Sequence, residues 1–137
     1  MDMDTEQEIW DFLHRHLHSI FALDVETYRA TTGSDLSLYE WFVAPYRQDG
    51  LDFHYFMIEH AWAGTTDDFR FDLLEPRLQQ YGDTAVVSYT FMLTMAKEDG
   101  IHHTLHNESR VLVRRDGAWQ VVHVHKSPAW KAPREQP

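Results

Sequence analysis

NESRVLVRRDGAWQVVHVHK, residues 107–126, sets two β-prone runs on either side of Asp116-Gly117. That dipeptide suits a two-residue hairpin turn, whose central positions both take positive φ. The spacing predicts two antiparallel strands, His102–Arg114 and Ala118–Lys126. Immediately upstream, Thr84–Met95 alternates with a period of two and places Ala85, Val87, Tyr89, Phe91, Leu93 and Met95 on one face. A further strand is expected where Phe69, Phe71 and Leu73 alternate with Arg70 and Asp72, broken near Pro76.

The N-terminal half changes period. Ile9, Phe12, Leu13, Leu17, Ile20 and Phe21 recur at helical spacing after a capping-box pair, Thr5 and Glu8. Asp24 caps a second, short helix to about Arg29, which Thr32, Gly33 and Ser34 are expected to end as a turn. Leu36–Val43 reads as a strand, and Leu51–Trp62 as a helix with Phe53, Met57 and Phe56 turned inward. Helices first and a meander of long strands afterwards give an α+β domain over residues 1–130, its helices covering one face of a curved sheet. The tail from 131 to 137 is polar, proline-bearing and expected to be mobile.

Composition excludes several classes. The chain has 137 residues, room for one domain. Its net charge of −10, with no concentration of Lys and Arg, lacks the footprint of a nucleic-acid or anionic-membrane binder. It has no cysteine, which removes disulfides, thiolate nucleophiles and cysteine metal sites. The acidic start MDMDTEQEIW does not read as a signal peptide, so a cytoplasmic address is expected.

Ten histidines are the main source of candidate chemistry. On the hairpin, Glu108 and Arg110 share one strand face, as do His123 and His125 on the next strand. With a two-residue turn, counting back sets Arg110 opposite His123 and Glu108 opposite His125, a polar square. A bulge would turn one pair to the other side. The square lines a cavity or a subunit interface, the alternative being a solvated sheet face. A metal site at His102, His103 and His106 is not expected, because His102 and His106 lie about 13 Å apart along a strand. His14, His16 and His18 fall on different sides of their helix and read as a solvated or interfacial face. Trp10, Trp41, Trp62 and Trp119 read as core or interface packing.

Three stretches resemble the association (hub) domain of calcium/calmodulin-dependent protein kinase II: GLDFHYFMIEH from Gly50, NESRVLVRRDGAW from Asn107, and VVHVHKSPA from Val121. They occur in that family's order and spacing, and the resemblance runs from Thr5 to Ala129. It implies the cone-shaped fold of nuclear transport factor 2, SnoaL-type cyclases and ketosteroid isomerase. It also implies self-association through the sheets, as a homodimer or a larger ring, and a cavity for small carboxylates. The cavity's polar lining carries over to His54, Arg110 and Lys126. Lys126 stands where the kinases have arginine and lacks the bidentate fork. Phe91 stands where they carry a second cavity arginine. No kinase domain is expected, so neither phosphotransfer nor calmodulin binding follows.

Two functions are therefore expected to compete. The first is a stand-alone, hub-like oligomerisation domain, without a cofactor, whose cavity takes a small anion or carboxylate through His54, Tyr89, Glu108, Arg110, His123, His125 and Lys126. The second is a SnoaL-like or isomerase-like enzyme, cofactor-independent and of isomerase, cyclase or hydratase type. Its acid and base would come from His54, Tyr89, Glu108 and His125. A rigid polar dyad beside an open apolar pocket would favour the enzyme.

Overall fold

The computed structural model describes residues 3–56 and 68–129. In chain order it contains α1 (Met3–Phe21), α2 (Val25–Thr31), β1 (Thr32–Glu40), β2 (Gln48–Asp49), α3 (Asp52–Phe56), β3 (Asp68–Tyr81), β4 (Thr84–Lys97), β5 (Gly100–Arg115) and β6 (Ala118–Pro128). The strands form one mixed sheet in the order β2-β1-β6-β5-β4-β3. The β1–β6 pair is parallel and the others are antiparallel. This is the expected α+β arrangement, with helices on the inner face of the sheet. Among the described residues no helix is long and apolar enough to cross a membrane.

The stripe of α1 is Ile9, Phe12, Leu13, Leu17 and Ile20, all buried in one cluster with Val87, Phe91, Leu112 and Val121 of the sheet. Each such side chain contributes roughly 1.5–3 kcal/mol by leaving water. The helix starts at Met3, so Thr5 and Glu8 lie within it and the expected capping box does not form its boundary. Asp24 does cap α2, accepting from the Thr27 amide at 3.1 Å and the Thr27 hydroxyl at 2.7 Å.

The expected turn at Thr32–Ser34 is instead the beginning of β1, which then stops at Glu40, short of Val43. Gly33 serves close approach: a Cβ there would stand 3.1 Å from Val122 Cγ1 and 2.6 Å from Asp35 Oδ1. The continuation of α3 to Trp62, with Met57 and the Phe53 side chain, lies outside the described residues, as does the tail from 131 to 137. Phe56 is exposed, contrary to its expected inward position. Trp119 is buried and Trp10 packs on the core, whereas Trp41 is 40% exposed.

Two bulges shape the sheet. In β3, Glu75 and Pro76 together oppose Tyr89, and Glu75 takes φ +50. The strand passes through Pro76 because it is an edge strand, where a missing N–H breaks no ladder. In β6, Leu112 pairs with Val121 and Val111 with His123, leaving Val122 as the extra residue. The Asp116-Gly117 turn is the expected tight one, with both residues at positive φ and Arg115 opposite Ala118. The bulge inside the strand therefore changes the register.

Candidate functional site

Beyond Val122 the alternation of β6 reverses. Trp119 and Val121 face inward before it, and Val124 and Lys126 after it. His123 and His125 consequently turn to the outer face, and the expected polar square does not form. Arg110 stands opposite Val124, and Glu108 opposite Lys126. His123 Nδ1 instead lies 2.8 Å from the Ser37 hydroxyl, and His125 packs against the Tyr39 ring at 5.1 Å.

The inner face gains a different constellation. Glu40 pairs with Lys126, Lys126 with Glu108, and Glu108 with Tyr89 in register across β1, β6, β5 and β4. Four successive strands thus contribute one polar rank to an otherwise apolar concave face. Lys126 Nζ donates to Glu40 Oε2 at 2.7 Å, and Tyr89 donates to Glu108 Oε1 at 2.7 Å. One residue further along β5, in the inward sense, Arg110 Nε donates to both the Tyr89 oxygen at 3.1 Å and Glu108 Oε1 at 3.2 Å. His106 Nε2 lies 2.5 Å from Glu108 Oε2 and donates to it, since a carboxylate only accepts.

Helices close the rank from above. Arg110 Nη1 reaches His16 Nε2 at 3.2 Å, and His16 Nδ1 reaches the Thr31 hydroxyl at 2.8 Å. Arginine only donates, so His16 accepts on Nε2 and carries its proton on Nδ1. The Thr31 hydroxyl accepts that proton and donates its own to the Thr27 carbonyl at 2.8 Å. At the other end, His54 Nε2 donates to Glu40 Oε1 at 2.9 Å and His54 Nδ1 meets the Tyr28 hydroxyl.

Burial makes these pairings consequential. Burial alone would raise the Glu40 carboxyl, but Lys126 and His54 outweigh it and bring the group down to about 2. Glu108 is held below the usual carboxylate range in the same way, by Arg110, His106 and Lys126 against burial. Burial, helped by Arg110, keeps His16 well below its ordinary value. Burial and the Glu108 charge raise the Tyr89 phenol, which stays protonated as a donor. The rank is thus two carboxylates and two cations that neutralise one another.

An open cavity of about 570 Å³ lies beside this rank. Leu17, Phe21, Phe91 and Leu93 wall it, and Glu108, Arg110, Lys126 and His106 supply its polar side. Trp41 and Phe42 stand at its lining while 40% and 54% exposed, so its rim is aromatic. Arg110 keeps one nitrogen, Nη2, without a hydrogen-bond partner among the described residues.

Of the sequence candidates, Tyr89, Glu108, Arg110 and Lys126 come together here. His54 is buried behind Glu40, outside the cavity lining, and His123 and His125 lie on the opposite face. Glu40 and Tyr28 escaped the sequence reading, which weighed His106 only as a metal ligand and set His16 on a solvated or interfacial face. His16 sits in the helical stripe between Phe12 and Ile20 and is fully buried, not on a solvated face. Glu40 continues the Leu36, Leu38 alternation, which was the available signal for its burial. Among the described residues no group of three or more His, Asp or Glu is placed to hold a metal ion.

Comparison with known proteins places this geometry in a family. Over 134 residues the chain is 29% identical to the delta subunit of calcium/calmodulin-dependent protein kinase type II of Oryctolagus cuniculus. The match covers 96% of the chain and 25% of that kinase, so the chain spans about a quarter of this relative's length. The calcium/calmodulin-dependent kinase II hub homology domain of Chlamydamonas reinhardtii superposes with a TM-score of 0.84 at 24% identity, covering 92% of this chain and 99% of that one. A nuclear transport factor 2-like protein of Salmonella enterica gives 0.75 at 24% identity, covering 96% of each chain. The fold is therefore the nuclear transport factor 2-like one. Residues 5–130 match the sequence model of the calcium/calmodulin dependent protein kinase II association domain, and the chain belongs to that family.

Proposed function

We propose that the chain is a self-associating, hub-like assembly domain whose outer sheet face pairs with a second copy and whose cavity takes a small carboxylate. One observation carries the assembly reading. Of the outward positions of β4, β5 and β6, among them Ser88, Met92, Leu105, Val111, Val122 and Ser127, only Arg115 at the turn end of β5 is Asp, Glu, Lys or Arg, and it is paired with Asp35 at 2.8 Å. In a chain of net charge −10, an uncharged central sheet face is suited to burial against its own copy. Family membership supports the same occupant. The carboxylate reading rests on Arg110, which lines the cavity and whose Nη2 has no hydrogen-bond partner among the described residues.

Light scattering after size exclusion tests the assembly. At pH 7.5 the expected particle is a dimer or a larger multiple of 16.2 kDa. Val111→Lys, a charge at the centre of that face, is expected to give monomers with an unchanged far-UV spectrum. At pH 5.5 the wild-type mass is expected to fall, because His103, His123 and His125 stand on this face and imidazoles gain charge on acidification. A wild-type monomer at every concentration refutes the proposal.

The second reading, an isomerase-like or SnoaL-like enzyme, is favoured by a specific feature: the His106–Glu108 pair beside an open apolar cavity. His54 and His125 drop out as its acid or base, because neither lines that cavity.

A further inference from the structure

Resting on the second, enzymatic reading of the cavity, we propose that it is a general-base site for a planar, apolar carbon acid, in which His106 Nδ1 takes the proton and Glu108 holds the imidazole. Four features of the structure support it. Glu108 Oε2 accepts from His106 Nε2 at 2.5 Å, which fixes the proton on Nε2 and leaves the Nδ1 lone pair directed away from the carboxylate. Nδ1 has no hydrogen-bond partner among the described residues, and the residue lines the cavity. The ring is clamped between Phe91, stacked at 5.2 Å, and Trp41, edge-on at 5.7 Å, so it has one orientation. Glu108 is itself fixed by Tyr89 and Arg110, and the cavity is walled by flat and branched apolar side chains that match a planar substrate.

The same wall offers cations where negative charge would develop. Lys126 spends one Nζ proton on Glu40, leaving two donors, and Arg110 keeps Nη2. The ionisable groups around His106 are Glu108 and Arg110 on its own strand, Lys126 on β6, Tyr89 on β4, and Glu40 on β1 through Lys126. Acceptance of a proton by His106 is balanced by the Glu108 charge. In the step, the C–H electron pair moves into the substrate and ends as an oxyanion. The proton stays on Nδ1 until it returns to product or water.

The probe is 5-nitrobenzisoxazole, a planar apolar carbon acid. Removal of its ring C–H proton forms the nitrile, breaks the N–O bond and releases a coloured nitrophenolate. The wild-type protein is expected to saturate with this probe and to exceed free imidazole at equal concentration by about 10²-fold or more, the usual worth of a positioned base. The reaction should be inhibited competitively by benzoate, which locates it in the cavity. His106→Gln, at a part-exposed position, is expected to fold normally and fall to the imidazole-free background. In Glu108→Gln the midpoint of the rate against pH should move to lower pH, because the imidazolium loses its counter-charge; a merely structural role would leave it in place. Wild-type rates no greater than imidazole's, or His106→Gln rates equal to wild type, overturn the proposal. Particle mass measured on the same samples separates this failure from failure of the assembly reading.

Discussion

Glu40→Gln isolates the far end of the polar rank. In the fold the Glu40 carboxyl sits at about 2, against an ordinary value of 4.5, because Lys126 and His54 outweigh the effect of burial. That difference corresponds to roughly 3 kcal/mol of stability at neutral pH. A depressed carboxyl stabilises above its unfolded value, and the contribution disappears as pH falls through the folded value. For these two values about 1 kcal/mol is gone at pH 4 and about 2 kcal/mol at pH 3. Glutamine keeps the shape but leaves Lys126 Nζ, on a side chain only 11% exposed, without its counter-ion. The variant is expected to be less stable at pH 7 by about 3 kcal/mol, the usual cost of breaking one partner from a buried pair. Urea unfolding of both proteins at pH 7, 5, 4 and 3 reads the effect, and the gap between them should shrink as the pH falls. Glu108 titrates in both and cancels in the comparison. A gap that stays constant from pH 7 to pH 3 would refute the reasoning.

Burial and Arg110 hold His16 below its ordinary 6.5, so on acidification the unfolded chain takes up a proton that the fold refuses. Stability is therefore present above about 6.5 and lost below it; His16→Gln should flatten the decline of urea midpoints between pH 7 and 5, and unchanged slopes would refute the assignment. Benzoate titrated calorimetrically should bind the wild type about 10-fold more tightly than Arg110→Lys, which keeps the charge facing Glu108 but loses the planar fork. Equal affinities would remove Arg110 from the ligand site.

The hairpin was legible because turn chemistry is local: Asp116-Gly117 supplies both positive φ values whatever surrounds it. The α1 stripe and the β4 alternation were legible for the same reason, each being a period in consecutive residues. Val122 was not, since one valine in Val-Val-His-Val carries no mark of being extra and its bulge answers to packing over Gly33. That single residue explains why His123 and His125 were assigned to the wrong face. Thr32–Ser34 read as a turn on composition, whereas the glycine is required by contact with a distant strand. His16 and Glu40 were hidden for a different reason. A polar residue in an apolar register becomes interpretable only with its partners, and Arg110, Lys126 and His54 come from elsewhere in the sequence. His106 was weighed only as a metal ligand, because its setting depends on Glu108 two positions along and Phe91 on the next strand.

The extra residue in β6 also makes the hairpin editable in two independent vocabularies. On one side of the sheet Val124 and Lys126 speak to the interior; on the other His123 and His125 speak to whatever meets the outside, and they alternate along the same four residues. Exchanging the outward pair for other side chains would change what the sheet presents to the second copy proposed above, while leaving the interior wording intact. Removing Val122 would be a frameshift in space: every downstream side chain of the strand would be delivered to the wrong compartment, although only one methyl-bearing residue had been lost.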